Sequence, residues 1–139
     1  MLNENKITIG ETATFSKTIS ESDIYAFAGI TGDFNALHVD EVKAKKGPFS
    51  HRIAHGMLVG SLISTVLGTK LPGEGVIYLE QNIKFLAPVY IGDTCTAHVR
   101  VSDIINLDKG IYRLETWITN QNEKVVSDGY AVIKFCTNT

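Results

Sequence analysis

The second half of the chain alternates between apolar and polar positions. Over residues 76–87, Ile77, Leu79, Ile83 and Phe85 fall on one face of an extended backbone and Glu80, Asn82 and Lys84 on the other. That period of two marks a strand with one buried face. Residues 94–101 repeat it, with Cys95, Ala97, Val99 and Val101 opposite Thr94, Thr96, His98 and Arg100. Two more strands are predicted. Residues 111–119 bury Tyr112, Leu114 and Ile118, and residues 125–135 offer Val125, Gly129, Ala131, Ile133 and Phe135, with small residues against which a helix can press. Residues 106–110 and 120–123 supply the hairpin turns.

The first half changes period. Residues 12–19 read as a short strand, and Ser20-Glu21-Ser22-Asp23 then gives a capping-box start in which a hydroxyl takes up an orphan helix N–H. The helix that follows places Ile24, Phe27, Ala28 and Thr31 at helical spacing and ends at Gly32, the residue type that tolerates a left-handed cap. Residues 33–55 are expected to be irregular, apart from one helical turn near 40–46 and a break at Gly47-Pro48. Residues 56–68 predict a second helix without a charged face, since Met57, Leu58, Val59, Leu62, Ile63, Val66 and Leu67 point in most directions. Such a helix is expected to be surrounded. Along it Gly60, Ser61, Ser64, Thr65 and Gly68 form a stripe of small residues where a backbone or a ligand can come close.

The order of strand, helix, long loop, apolar helix and four long strands predicts an α+β fold. One curved antiparallel sheet wraps a central apolar helix, the hot-dog arrangement, with residues 1–139 as a single domain. Such a sheet leaves an edge strand open, so a homodimer or higher homo-oligomer is expected.

Composition narrows the function classes. The 139 residues are 44% hydrophobic and 20% charged, the balance of an ordinary globular protein. A formal net charge of −2 gives no overall attraction for nucleic acid, and Lys43, Lys45 and Lys46 are the only basic cluster. The opening MLNENKITIGE has neither an apolar signal core nor a basic leader, and the apolar run from Met57 to Leu67 is too short to span a bilayer. The expectation is a cytoplasmic protein with no membrane partner. Cys95 and Cys136 lie far apart in strand-like segments and read as small core residues.

The candidate chemistry lies in the long loop, which holds His38, His51 and His55, three of the four histidines. In GDFNALH, residues 32–38, Asp33 and His38 are five positions apart, a rotation of roughly 140° if the segment were helical. A loop can still bring them together, because Asp33 and Asn35 bond nearby backbone N–H groups and let the chain double back. The pair then holds a water between a carboxylate and an imidazole. Equally, the segment can be a turn in which Asp33 caps backbone groups and His38 rests on the surface. IAHGM, residues 53–57, adds a second element. Free amides and the positive end of a helix dipole converge at Gly56, where a missing side chain lets a carbonyl oxygen approach the main chain. His55 is placed to fix this helix entry through a ring hydrogen bond. His51 and His55 have a spacing found in some zinc sites, but no cysteine or HExxH accompanies them, so neither a metal nor a cofactor is expected.

FAGITGDFNALH, residues 27–38, resembles the hydratase signature of the MaoC-like (R)-specific enoyl-CoA hydratases and their acyl-thioester dehydratase relatives. The similarity continues through IAHGM, through Ser61, and through FLAPVYIGD at residues 85–93. It implies a dimeric hot-dog enzyme that adds water syn to a trans-2-enoyl thioester, carried on coenzyme A or acyl carrier protein. It further implies that Asp33 and His38 activate the water, Asn35 supports the loop, Ser61 lines the site and an amide near Gly56 polarises the thioester carbonyl. One position departs from the family: Ala36 stands where the relatives commonly have proline. A 3-hydroxyacyl-carrier dehydratase, a hot-dog thioesterase and a non-catalytic acyl-thioester binding subunit are the alternatives, and Tyr78, Leu79 and Phe85 are candidates for the acyl tunnel.

Overall fold

Ser20 opens the first helix as its hydroxyl suggests. Its Oγ accepts from the Asp23 amide at 3.1 Å while the Asp23 carboxylate accepts from the Ser20 amide at 2.9 Å, a complete capping box. At the other end Gly32 adopts φ 80° and donates its amide to the Ala28 carbonyl, so the chain turns sharply just before Asp33. The computed structural model describes residues 7–136. Its elements are β1 (Thr12–Thr18), α1 (Glu21–Thr31), α2 (Ala36–Val39), α3 (Glu41–Ala44), α4 (Gly56–Thr69), β2 (Ile77–Phe85), β3 (Thr94–Asn106), β4 (Ile111–Thr119) and β5 (Val125–Lys134).

The five strands make one antiparallel sheet in the order β1, β3, β4, β5, β2. One face of it carries the core. Cys95, Ala97, Val99 and Val101 of β3 join Tyr112, Leu114 and Ile118 of β4 and Ala131 and Ile133 of β5, and all are buried with Val59, Leu62, Ile63, Val66 and Leu67 of α4. Alternation on the strands and helical spacing on α4 thus bury the same contiguous set. This is the expected hot-dog arrangement. Full burial of each large aliphatic side chain contributes roughly 1.5–3 kcal/mol, so the α4-to-sheet contact is a large contribution to stability. Among the described residues no helix is long and apolar enough to cross a membrane.

Five local expectations are corrected. First, β3 continues past Val101 to Asn106, through register irregularities between Val101 and Asp103 and between Ile104 and Asn106 that interrupt the alternation. Second, β2 has no single apolar face: Ile83 and Phe85 lie opposite Gly129 and Ser127 on the core side, while Ile77, before the shift in register, lies opposite Lys134 on the other. β2 is an edge strand with an irregularity between Tyr78 and Glu80, and Ile77, Leu79 and Phe85 stay about half exposed while Ile83 reaches the core. Third, α4 is covered on one side only, because the sheet reaches one face and leaves Met57, Ser61, Ser64 and Gly68 exposed. The close neighbour of its small residues is β2: a Cβ on Gly60 would lie 2.9 Å from Ile83 Cδ1, and one on Gly56 would meet Phe85. Fourth, the small Gly129 accommodates the Asn82 carbonyl of β2 instead of a helix. Fifth, residues 36–39 are helical, whereas α3 falls where the single helical turn was expected. Cys95 is in the core as anticipated, but Cys136 is exposed near the end of the sheet.

Candidate active site

Beyond Gly32 a chain of side-chain caps folds residues 33–38. Thr31 Oγ1 accepts from the Asp33 amide, Asp33 Oδ1 accepts from the Asn35 amide at 3.2 Å, and Asn35 Oδ1 accepts from the Leu37 amide at 3.0 Å to cap α2. One turn of α2 then carries His38 inward. The His38 ring is buried, and its Nδ1 lies 2.7 Å from the Ile53 carbonyl oxygen. Since a carbonyl only accepts, Nδ1 bears the hydrogen in the neutral ring and Nε2 keeps its lone pair. Burial pushes the His38 pKa below its usual 6.5; the Ile53 carbonyl opposes this, the nearby His55 adds to it, and Asp33 opposes it. Burial thus favours the neutral form of His38.

The carbonyl that orients His38 is itself tied down. Ile53 donates its amide to Leu37 and bridges to Tyr90, and the preceding Arg52 reaches Glu41 of α3 and Glu21 and Tyr25 of α1. One guanidinium thus staples the loop to two helices. His51, on the other side of Arg52, is exposed and pairs with Glu41 at 3.0 Å, so it is not gathered with the other two histidines.

His55 is 2% exposed and precedes α4. Its Nε2 lies 3.0 Å from the Asp33 main-chain oxygen, and its ring stacks on His38 with centroids 3.9 Å apart and planes 29° apart. No side chain caps α4, and the amides of Gly56, Met57 and Leu58 have no partner among the described residues. Free donors and the positive end of the helix dipole thus converge at the start of α4.

Asp33, His38, His55, Gly56 and Met57 line one cavity of about 620 Å³ together with apolar residues including Phe27 and Phe85. The Phe85 ring fills the space next to Gly56, so the main chain there is flanked by an aromatic face and not by open solvent. Of the other anticipated residues, Asn35 lies outside the lining and acts on the local backbone. Ser61 also lies outside it, exposed on α4 with its hydroxyl turned back to the Leu58 carbonyl. Phe85 lines the cavity, while Tyr78 and Leu79 do not. Sequence reasoning missed Ile53, whose role is played by a carbonyl, and the buried Ser127 of β5, which lines the cavity. Ser127 sits on the same face as Gly129 and Ala131, and that parity was its only signal. Ligand atoms of Asp33, His38 and His55 all lie within 4.8 Å of one another, the sole such cluster among the described residues with the donors to hold a metal ion. One nitrogen of each ring is already engaged by a main-chain carbonyl, leaving one donor atom on each.

The chain is similar to several known proteins. A family model described as "MaoC like domain" matches residues 4–122. The chain is 50% identical over 124 residues to an (R)-specific enoyl-CoA hydratase of Rhodospirillum rubrum, covering 89% of this chain and 85% of that protein. It is 44% identical over 126 residues to a 3-hydroxybutyryl-CoA dehydratase of Methylorubrum extorquens, covering 91% of this chain and 79% of that one. A solved (R)-hydratase of Aeromonas caviae, involved in PHA biosynthesis, superposes with a TM-score of 0.89 at 41% identity over 94% of this chain and 98% of its own. The chain belongs to the MaoC-like family.

Proposed function

We propose that this chain is an (R)-specific enoyl-CoA hydratase, a hydro-lyase that adds water reversibly to a trans-2-enoyl thioester, with Asp33 and His38 as its acid–base pair. The observation that carries the reading is the meeting of that pair, within 4.8 Å, beside the uncapped start of α4 in one apolar-walled cavity. Water held between the Asp33 carboxylate and the free Nε2 of His38 is polarised for attack on the β-carbon. As its oxygen bonds there, electron density moves through the conjugated system to the thioester oxygen, and the Gly56 and Met57 amides stabilise the enolate. The proton removed from the water is returned to the α-carbon from the same side, so hydroxyl and hydrogen add syn. Asn35 supports this indirectly by capping α2, and His55 by its bond to the Asp33 backbone. Ser61 enters the site only if a neighbouring subunit extends the cavity toward α4.

A homodimer is part of the proposal. β2 is an unpaired edge with Ile77, Leu79 and Phe85 half exposed, and the open face of α4 has Met57 at 62% exposure, surface that a second copy would cover. Coenzyme A is the carrier proposed, in the cytoplasm. Purified protein is expected to consume the conjugated-enone absorbance of crotonyl-CoA without releasing free thiol. Asp33→Asn and His38→Ala are each expected to abolish that consumption. Wild-type rates in both variants would refute the assignment, and thiol release would replace it with hydrolysis.

A further inference from the structure

We infer that His55 is a positioning residue, whose ring N–H holds the Asp33 main chain against the His38 ring and so sets the spacing of the acid–base pair. The inference rests on the hydratase reading for its kinetic consequence, but its structural content stands apart from it.

Position 55 is the N-cap of α4, and Ser, Thr, Asp or Asn there would accept from the first-turn amides. His55 caps none of them. Its side chain is 2% exposed, with Nδ1 buried and without a hydrogen-bond partner among the described residues. A ring that neither caps the helix nor satisfies its own second nitrogen is a poor choice for stability alone. What it does instead is join the two groups that flank it. Nε2 lies 3.0 Å from the Asp33 carbonyl oxygen, and because a carbonyl only accepts, Nε2 bears the hydrogen and Nδ1 is the bare nitrogen. One face stacks on His38 at 3.9 Å, and Phe27 of α1 contacts the ring at 4.8 Å and 55°. The ring is thereby immobilised from three directions. Asp33 begins a segment anchored to α1, and His38 hangs from the Ile53 carbonyl next to α4, so the two arrive from different elements. His55 touches both, through its bond to the Asp33 carbonyl and its stacking on the His38 ring. Its bond ends on the peptide joining Asp33 to Phe34, so losing it frees the carboxylate to move relative to Nε2 of His38.

Two variants separate the hydrogen bond from the ring. His55→Phe keeps a flat ring for stacking and removes the N–H; His55→Gln keeps an N–H within reach and removes the ring. In crotonyl-CoA hydration, His55→Phe is expected to lower kcat by about 10- to 100-fold with KM within about threefold, the pattern of misplaced reacting groups rather than lost binding. His55→Gln is expected to recover about 2- to 10-fold of that loss, the size of one hydrogen bond's contribution. Full activity in His55→Phe, or equal losses in both variants, overturns the inference while leaving Asp33 and His38 in place. A readout without turnover covers the case in which the protein does not hydrate crotonyl-CoA at all. The 15N shift of the Phe34 amide reports hydrogen bonding to the Asp33 carbonyl, and the His38 ring nitrogens report the ring's environment. Both are expected to move in His55→Phe, with the Phe34 signal closer to wild type in His55→Gln. An unchanged Phe34 amide in His55→Phe sinks the inference whatever the activity.

Discussion

A single methyl group at Gly56 tests whether the wall beside the proposed oxyanion site sets the reaction geometry. An ideal Cβ there would lie 2.7 Å from both Cδ1 and Cε1 of Phe85 and 3.2 Å from Cζ. Carbon atoms in ordinary contact are about 3.5–4.0 Å apart, so Gly56→Ala forces the ring back by about 1 Å. Phe85 sits on the edge strand at 53% exposure and has room to retreat, which keeps the cost in stability small. Alanine also favours a helical position over glycine by about 0.5–1 kcal/mol, which offsets that cost. Unfolding free energy is expected to stay within about 1 kcal/mol of wild type. Activity is expected to respond far more, because a 1 Å displacement of groups around reacting atoms costs about 100-fold, or about 2.7 kcal/mol in transition-state stabilisation. The Gly56 amide survives the substitution, so the loss isolates space from hydrogen bonding. Crotonyl-CoA hydration measured beside urea unfolding gives both quantities. Removing the ring in the same chain supplies the control: Phe85→Ala combined with Gly56→Ala should lose less than the two changes predict separately. A kcat/KM within threefold of wild type at unchanged stability, or strict additivity in the double variant, refutes the reasoning.

Other substitutions and conditions read neighbouring parts of the same machinery. Burial holds the His38 pKa below 6.5, so the acid limb of kcat/KM is expected below pH 6.5; a limb above pH 7 contradicts a buried base. The same depressed value means the unfolded chain takes up a proton first on acidification. His38 therefore contributes stability above pH 6.5 that is lost as pH falls toward its folded value, and His38→Gln should flatten that part of the stability profile. Arg52→Met removes the staple between the loop, Glu21, Tyr25 and Glu41 and is expected to cost about 1–2 kcal/mol in chemical unfolding, the carboxylates being partly exposed and screened. A change under about 0.3 kcal/mol shows the loop to be held by its backbone alone.

Sequence patterning carried the fold wherever one physical cause acted alone. α1 was bounded on both sides because Ser20 and Asp23 cap its start and Gly32 takes the left-handed turn at its end, all of them local effects. β4 alternates cleanly because it lies inside the sheet with α4 on one face. β2 differs because the irregularity between Tyr78 and Glu80 shifts its parity, so Ile77 and Ile83 fall on opposite faces, and sequence periodicity does not report a bulge. The site residues divide in a similar way. Asp33 and His38 were legible as candidates because their chemistry is in their side chains, and Gly56 as a bare position, although the Phe85 ring lies where its side chain would be. Ile53 was not, because it contributes a carbonyl that every residue has, and only the fold decides which carbonyl faces His38. Ala36 joins the two levels. It is the first residue of α2, its amide has no partner among the described residues, and the preceding Asn35 has φ −52° and ψ 130°, a conformation a following proline accepts. Ala36→Pro is therefore expected to stabilise the chain by about 0.4–1 kcal/mol through loss of unfolded-state freedom, raising Tm by about 1–4 °C. A lower Tm would show that the backbone at residue 36 is not free to take proline's φ because the caps from Asp33 and Asn35 already fix the His38 turn.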